Sequence, residues 1–211
     1  MTCRVATFAA VFALVGGAPL SAINLTVTHA DIERALALSR WPHTDTERVR
    51  FHDPYLTILE PRMMFNPNLT AGSVTVEQLE IITEFRRLEL IAESHVRLND
   101  SFGRGGIEDA VEALRPWRGR VAIDAHLGLP NHKGTIPESE IALSGVGIQR
   151  AYIAHPPVIY AKTGLSPQIL QGNIVEAVFD GIAVGQVPRI VTVIVSGRQV
   201  ARVPIDFAKL E

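Results

Sequence analysis

The sequence predicts an α+β protein in which a helical N-terminal region is followed by a C-terminal antiparallel β-sandwich. Residues 23–117 carry helix-capping signals and helical spacings of apolar residues. Residues 118–211 instead contain short β-branched runs between Pro and Gly turns, which is typical of a sandwich. The clearest of these runs is 190–207, where β-branched residues flank Ser196-Gly197 and predict a hairpin.

The first 22 residues are predicted to be a signal peptide. Arg4 gives a positive start, Val5–Val15 is apolar, and a Gly-rich break precedes Leu20-Ser21-Ala22, after which we expect cleavage. The apolar segment is shorter than the roughly 20 residues that span a bilayer. The protein is therefore predicted to be periplasmic or secreted, without a transmembrane span in the mature chain. An uncleaved anchor or a buried helix is the alternative.

Composition excludes several classes of partner and chemistry. The chain has 211 residues, 47% of them apolar, and a formal net charge of −2, so it can form a sizeable core. It has no clustered basic surface of the kind that captures nucleic acid, and no nucleic-acid partner is expected. The single cysteine, Cys3, lies in the signal, so the mature chain has neither disulfides nor a thiol nucleophile.

Three helical segments are predicted in the N-terminal region. Thr28 and Asp31 form a variant capping box for a helix that ends near Trp41-Pro42. Val76–Leu98 has both a helical stripe and an alternating pattern, and its composition and length favour one long helix. Ile107–Leu114 is predicted to be a short helix.

The C-terminal region contains a series of predicted strands. Val121–Leu127 alternates apolar and polar residues, which indicates a half-buried strand. Further strands are expected at Glu140–Leu143, Ile148–Ile153, Val158–Tyr160 and Asn173–Phe179.

The final hairpin is predicted to be structural, an inner strand paired with an edge strand. Both faces of its first strand are apolar, and we expect both to be covered. With a two-residue turn, one face carries Val191, Val193 and Val195 with Arg198, Val200 and Arg202. The other face carries Ile190 and Ile194 with Ala201, Val203 and Ile205.

The candidate metal ligands are Asp124, His126 and His132. The first two lie two residues apart on one predicted strand and so share a face, and His132 follows in the next loop. Together they could hold a divalent metal ion, or Asp124 could orient a histidine base. The favoured interpretation is simpler, because an alternating strand needs polar residues on its solvent side. No other cofactor is predicted.

The candidate binding residues are Trp117, Tyr152 and Tyr160. Amphipathic rings can form a platform for a sugar or a protein partner, although packing at a sheet edge explains them as well. The loops 130–137 and 155–172 are the predicted places for a binding site.

The hydrolase signatures G-x-S-x-G and H-E-x-x-H are absent from the sequence. We therefore predict a non-catalytic, envelope-associated binding or structural module with an unknown protein or small-molecule partner. A metal-dependent or acid/base hydrolase using Asp124, His126 and His132 is one alternative, and a small-ligand carrier is another.

Overall fold

A computed structural model describes residues 27–40, 52–59, 73–133, 135–154, 158–160 and 169–210. These residues form two antiparallel sheets and a smaller number of helices, so the α+β prediction is confirmed, with sheet as the larger part. The predicted signal peptide and the proline-rich segment 155–157 lie outside the described residues. No helix of the described ranges is long and apolar enough to cross a membrane.

The helices of the described ranges are two longer and two short ones. They are α1 (His29–Arg40), α2 (Glu84–Leu98), α3 (Glu108–Leu114) and α4 (Gly181–Val184). The predicted cap of α1 is confirmed, because the Thr28 backbone N–H donates to Asp31 Oδ2 at 3.0 Å and the Asp31 N–H donates to Thr28 Oγ1 at 3.3 Å. This reciprocal pairing satisfies N–H groups that a helix start leaves unbonded.

The prediction of one helix over Val76–Leu98 is wrong for its first part. Thr75–Ile82 is a strand, β2, and Thr83 separates it from α2. The Thr83 hydroxyl accepts the Arg86 backbone N–H at 3.2 Å, which makes Thr83 the N-cap. The segment carries two patterns because it contains two elements, with the alternating pattern marking β2.

The first sheet has the order β1-β2-β3-β8-β6, with β7 also pairing with β8. Its strands are β1 (Leu56–Ile58), β2, β3 (Arg120–Lys133), β6 (Tyr152–Ile153), β7 (Val158–Tyr160) and β8 (Ile169–Asp180). β2 precedes the predicted domain boundary, and its hydrogen-bonded partner β3 follows it. Residues on both sides of that boundary therefore build the same sheet.

The second sheet has the order β10-β9-β4-β5. Its strands are β4 (Ser139–Leu143), β5 (Gly147–Arg150), β9 (Pro188–Val195) and β10 (Arg198–Asp206). The C-terminal hairpin is confirmed, with β9 inside the sheet and β10 at its edge. Ser196 and Gly197, at φ 49° and 73°, form a two-residue turn of the kind that matches the twist of a hairpin.

The predicted register of the hairpin is wrong beyond its turn. A bulge between Gln199 and Ala201 adds one residue to β10, so Val203 lies opposite Val191. The buried face consequently carries Val191, Val193 and Val195 with Val203 and Ile205. The prediction that both faces of β9 are covered is also corrected, since Ile190 and Ile194 are half-exposed.

One hydrophobic cluster joins the two sheets and the helices. It includes Ile123 and Leu127 from β3, Val193 from β9, Leu36 from α1 and Leu88 from α2. Because the two sheets share this core, their positions relative to each other are fixed.

Candidate functional site

Three carboxylates stand in a row across three neighbouring strands of the first sheet. Glu80 on β2 lies directly opposite Asp124 on β3, and Asp124 lies directly opposite Glu176 on β8. Tyr152 on β6 continues the row beyond Glu176. Because directly opposite residues share a face, these four side chains project to the same side of the sheet.

Two arginines from the first turn of α2 interact with this carboxylate row. The Arg86 guanidinium pairs with Glu80 at 2.9 Å and with Glu89 of its own helix at 3.2 Å, and it also contacts His52 Nδ1. Arg86 is 3% exposed, so these pairs are shielded from water. The next residue, Arg87, pairs with Glu176.

Asp124 is the most perturbed group of the row. Its side chain is 5% exposed, and Oδ1 has no hydrogen-bond partner among the residues that the structure describes. Burial, reinforced by the charge of Glu176, raises the pKa of Asp124 to about 8, against a lowering influence of Arg87. Asp124 is therefore predominantly a neutral acid at pH 7. The favoured interpretation of Asp124 as a solvent-side residue is wrong, because the residues that cover it come from elsewhere in the chain.

The aromatic candidates occupy different places near this row. Trp117 follows α3 in a short 3₁₀ turn, and the Arg87 guanidinium lies 3.9 Å from its ring centroid. Tyr152 is exposed and faces Glu176 across the strand pair. Arg87 contacts Trp117 and pairs with Glu176, and Glu176 lies opposite Tyr152. Tyr160 lies on β7, and its side chain is outside the described part.

The proposed metal ligands are distributed along β3. Asp124 and His126 share a face as predicted, and His126 lies opposite Gln78 and Ile174. The backbone of His132 pairs with Leu170, four positions from Ile174 on β8, which separates it from His126 by about 14 Å. No group of three metal-ligating side chains that could hold an ion occurs within the described ranges. The three-residue metal site stays a prediction.

Asp124 and Glu176 can share a proton. The ion pairs of the row with Arg86 and Arg87 can attach α2 to the sheet. A buried neutral acid beside a second carboxyl group also resembles the paired carboxyl groups of acid and base catalysts. Sequence reasoning found Asp124 and missed Glu80, Glu176, Arg86 and Arg87. The alternation of β2 contained a signal for Glu80, but the preference for one long helix concealed it.

A second candidate site lies on the outer face of the second sheet. Ile148, Ala142, Thr192 and Arg202 form a row of directly opposite residues across β5, β4, β9 and β10. They line a shallow pocket with a volume of about 360 Å³, together with Ile190 and the turn after β4. Its size is at the lower end of the range that small-molecule sites occupy.

Arg189 holds the turn that borders this pocket. Its guanidinium donates to the carbonyl oxygens of Ala183, Val184 and Ser144 at 3.2, 3.0 and 3.0 Å. In addition, Ser144 Oγ accepts the Ile190 backbone N–H at 2.9 Å. The rim of the pocket is therefore fixed by hydrogen bonds before any ligand arrives.

No protein-family model, curated protein or solved structure matches the chain.

Proposed function

We propose that the protein is an exported, envelope-associated binding module with a β-sandwich core and a helical N-terminal layer. Its ligand binds in the pocket on the outer face of the second sheet, and it performs no catalysis. The observation that carries this proposal is that the pocket is open to a ligand, whereas Asp124, the acid with the raised pKa, is only 5% exposed. A catalytic acid must reach its substrate, and a binding surface must be open to its ligand.

An exposed apolar side chain in the pocket supports the same proposal. Ile148 lies on the edge strand β5, lines the pocket and is 59% exposed. Apolar exposure at a strand edge is typical of surfaces that take part in recognition.

A thermal-shift screen of lipids, sugars and peptides tests the binding role. A ligand that binds the folded state alone raises the melting temperature, and we expect at least one class to do so. Ile148→Asp places a charge at the exposed end of the pocket and should abolish that shift, while Ile182→Asp, at an exposed position outside the pocket, should retain it. A screen in which no class shifts the wild-type protein would overturn the binding role.

Export is tested on the full chain with a C-terminal tag. We expect the tagged protein in the periplasm or the medium, with a mature N-terminus at Ile23 determined by mass spectrometry. Retention in the cytoplasm with Met1 intact would contradict the proposed location.

An acid/base hydrolase is the second candidate function, and the raised pKa of Asp124 beside Glu176 favours it. Asp124→Asn distinguishes the two candidates, since it removes the acid while preserving the shape of the side chain. The binding module retains its ligand response in this variant. A hydrolase would lose turnover of ester and glycoside substrates, and any such activity in the wild type would favour the second candidate.

A further inference from the structure

We propose that the pocket on the second sheet binds an amphipathic monocarboxylate of the medium-chain fatty-acid type. The carboxylate binds Arg202 and Thr192, and the apolar tail crosses Ala142 toward Ile148. This inference rests on the proposed binding role and specifies the chemistry of its ligand.

Arg202 provides the charge that selects an anion. Within the described part of the chain it has no ion-pair partner and donates no hydrogen bond, and the pocket lining contains no carboxylate. On the same face of β4, Glu140 lies one row away, opposite Arg150 and Ile194. A guanidinium presents two parallel N–H donors to a carboxylate, which makes a monoanion of this shape its best-matched ligand.

The hydroxyl group of Thr192 completes the polar end of the pocket. Thr192 is directly opposite Arg202, so both side chains project from adjacent positions on one face. The polar end consequently offers donors, as a carboxylate requires, and no competing anion.

The other end of the pocket suits an alkyl chain. Ala142 is small and leaves room over the middle of the row, while Ile148 and Ile190 supply apolar walls. Four strands spaced by ~4.8 Å give a row about 14 Å long from Arg202 to Ile148. This elongated shape, with a charge at one end and apolar surface at the other, fits a linear amphiphile better than a sugar.

Calorimetric titration with decanoate and decanol, below the concentrations at which they aggregate, tests this inference. We expect decanoate to bind the wild type about 10- to 100-fold more tightly than decanol, because charge-assisted hydrogen bonds to Arg202 are lost in the alcohol. Arg202→Gln should remove that preference. Arg198→Gln, an exposed arginine on the same strand outside the pocket, should leave decanoate affinity within about twofold.

Equal binding of decanoate and decanol, or unchanged decanoate affinity in Arg202→Gln, would overturn the carboxylate inference. If Ile148→Asp still removes binding of both probes, the proposed binding role stands with a different ligand class. Absence of binding by both probes also overturns the inference, and the wider ligand screen then decides the binding role separately. Thr192→Val gives a second check, with decanoate expected to weaken while decanol is unaffected.

Discussion

The two sheets present polar groups in opposite ways. On the first sheet, Glu80 pairs with Arg86 and Glu176 pairs with Arg87, so these charges have partners within the protein. The buried Asp124 between them is predominantly neutral at pH 7. On the second sheet, the row that ends at Arg202 is open and lacks a counter-charge in the described part of the chain. Removing one partner of a buried charge pair destabilises a protein, whereas an unpaired charge at an open pocket can be used for recognition.

Removing Arg86 should have the largest effect on stability. Arg86→Met removes the buried guanidinium that pairs with Glu80 and Glu89, and breaking such a pair costs about 3–5 kcal/mol of unfolding free energy. Urea unfolding measures this loss. The matched control is Arg97→Met on the same helix, whose side chain is 66% exposed and whose pair with Glu93 should contribute below about 0.5 kcal/mol. Equal losses in the two variants would show that the carboxylate row is not structural.

Asp124 should make stability fall with rising pH. Its pKa is about 8 in the folded protein and 3.8 for an ordinary aspartate, so between these values the folded state keeps a proton that the unfolded state releases. The free energy of unfolding should decrease by about 1.4 kcal/mol per pH unit through this window and level off above it. Unfolding at pH 5, 6 and 7 measures the slope for this group.

Asp124→Asn should remove that slope, because an amide does not titrate. Glu140→Gln, on the exposed face of the second sheet, is the control and should leave the slope unchanged. An identical slope in wild type and Asp124→Asn would mean that Asp124 is ionised in the folded protein.

The turn that joins β9 and β10 should have an intermediate effect. Gly197 has φ 73°, and a Cβ at this position would meet nothing within 4 Å, so the cost of Gly197→Ala is conformational. We expect a loss of about 1–2 kcal/mol in unfolding free energy, because the Cβ of an L-residue is strained in the left-handed conformation. Gly105→Ala, where φ is not in the left-handed range and space is equally open, should be neutral or slightly stabilising. A neutral Gly197→Ala variant would contradict the turn geometry.

Arg202→Gln should have the smallest effect on stability. Arg202 is exposed and unpaired among the described residues, so the change in unfolding free energy should stay within about 0.5 kcal/mol. This variant should lose ligand binding and keep its stability, whereas Arg86→Met should lose stability. A large loss of stability would assign Arg202 a structural role.

The local pattern of the sequence predicted more of the second sheet than of the first. The hairpin follows from β-branched residues around Ser196-Gly197, since its signal is local. The register of the hairpin beyond the turn could not be predicted, because the alternation of apolar residues does not indicate the bulge near Val200. The strand in Thr75–Ile82 was missed, since its pattern continues into that of α2 without a proline or glycine between them.

The candidate sites depend on contacts that sequence spacing does not encode. Asp124 and His126 were placed on one face correctly, but the pairing of Asp124 with Glu176 requires two strands more than fifty residues apart to meet. Arg202 was predicted to lie near a sheet edge, and its proximity to Ile148 through β9 and β4 could not be read from the hairpin. The prediction of loops at 130–137 and 155–172 is wrong in part, because 130–133 belong to β3, 158–160 to β7 and 169–172 to β8. A binding site in the remainder of these segments stays a prediction.

Backbone amide chemical-shift mapping during decanoate titration tests most directly which face of the molecule binds. We expect the largest shifts at Ala142, Ile148 and Thr192 on the second sheet, and none at Asp124 or Glu176. Shifts concentrated at Asp124, Glu176 and Tyr152 would contradict the account and assign the binding role to the carboxylate row.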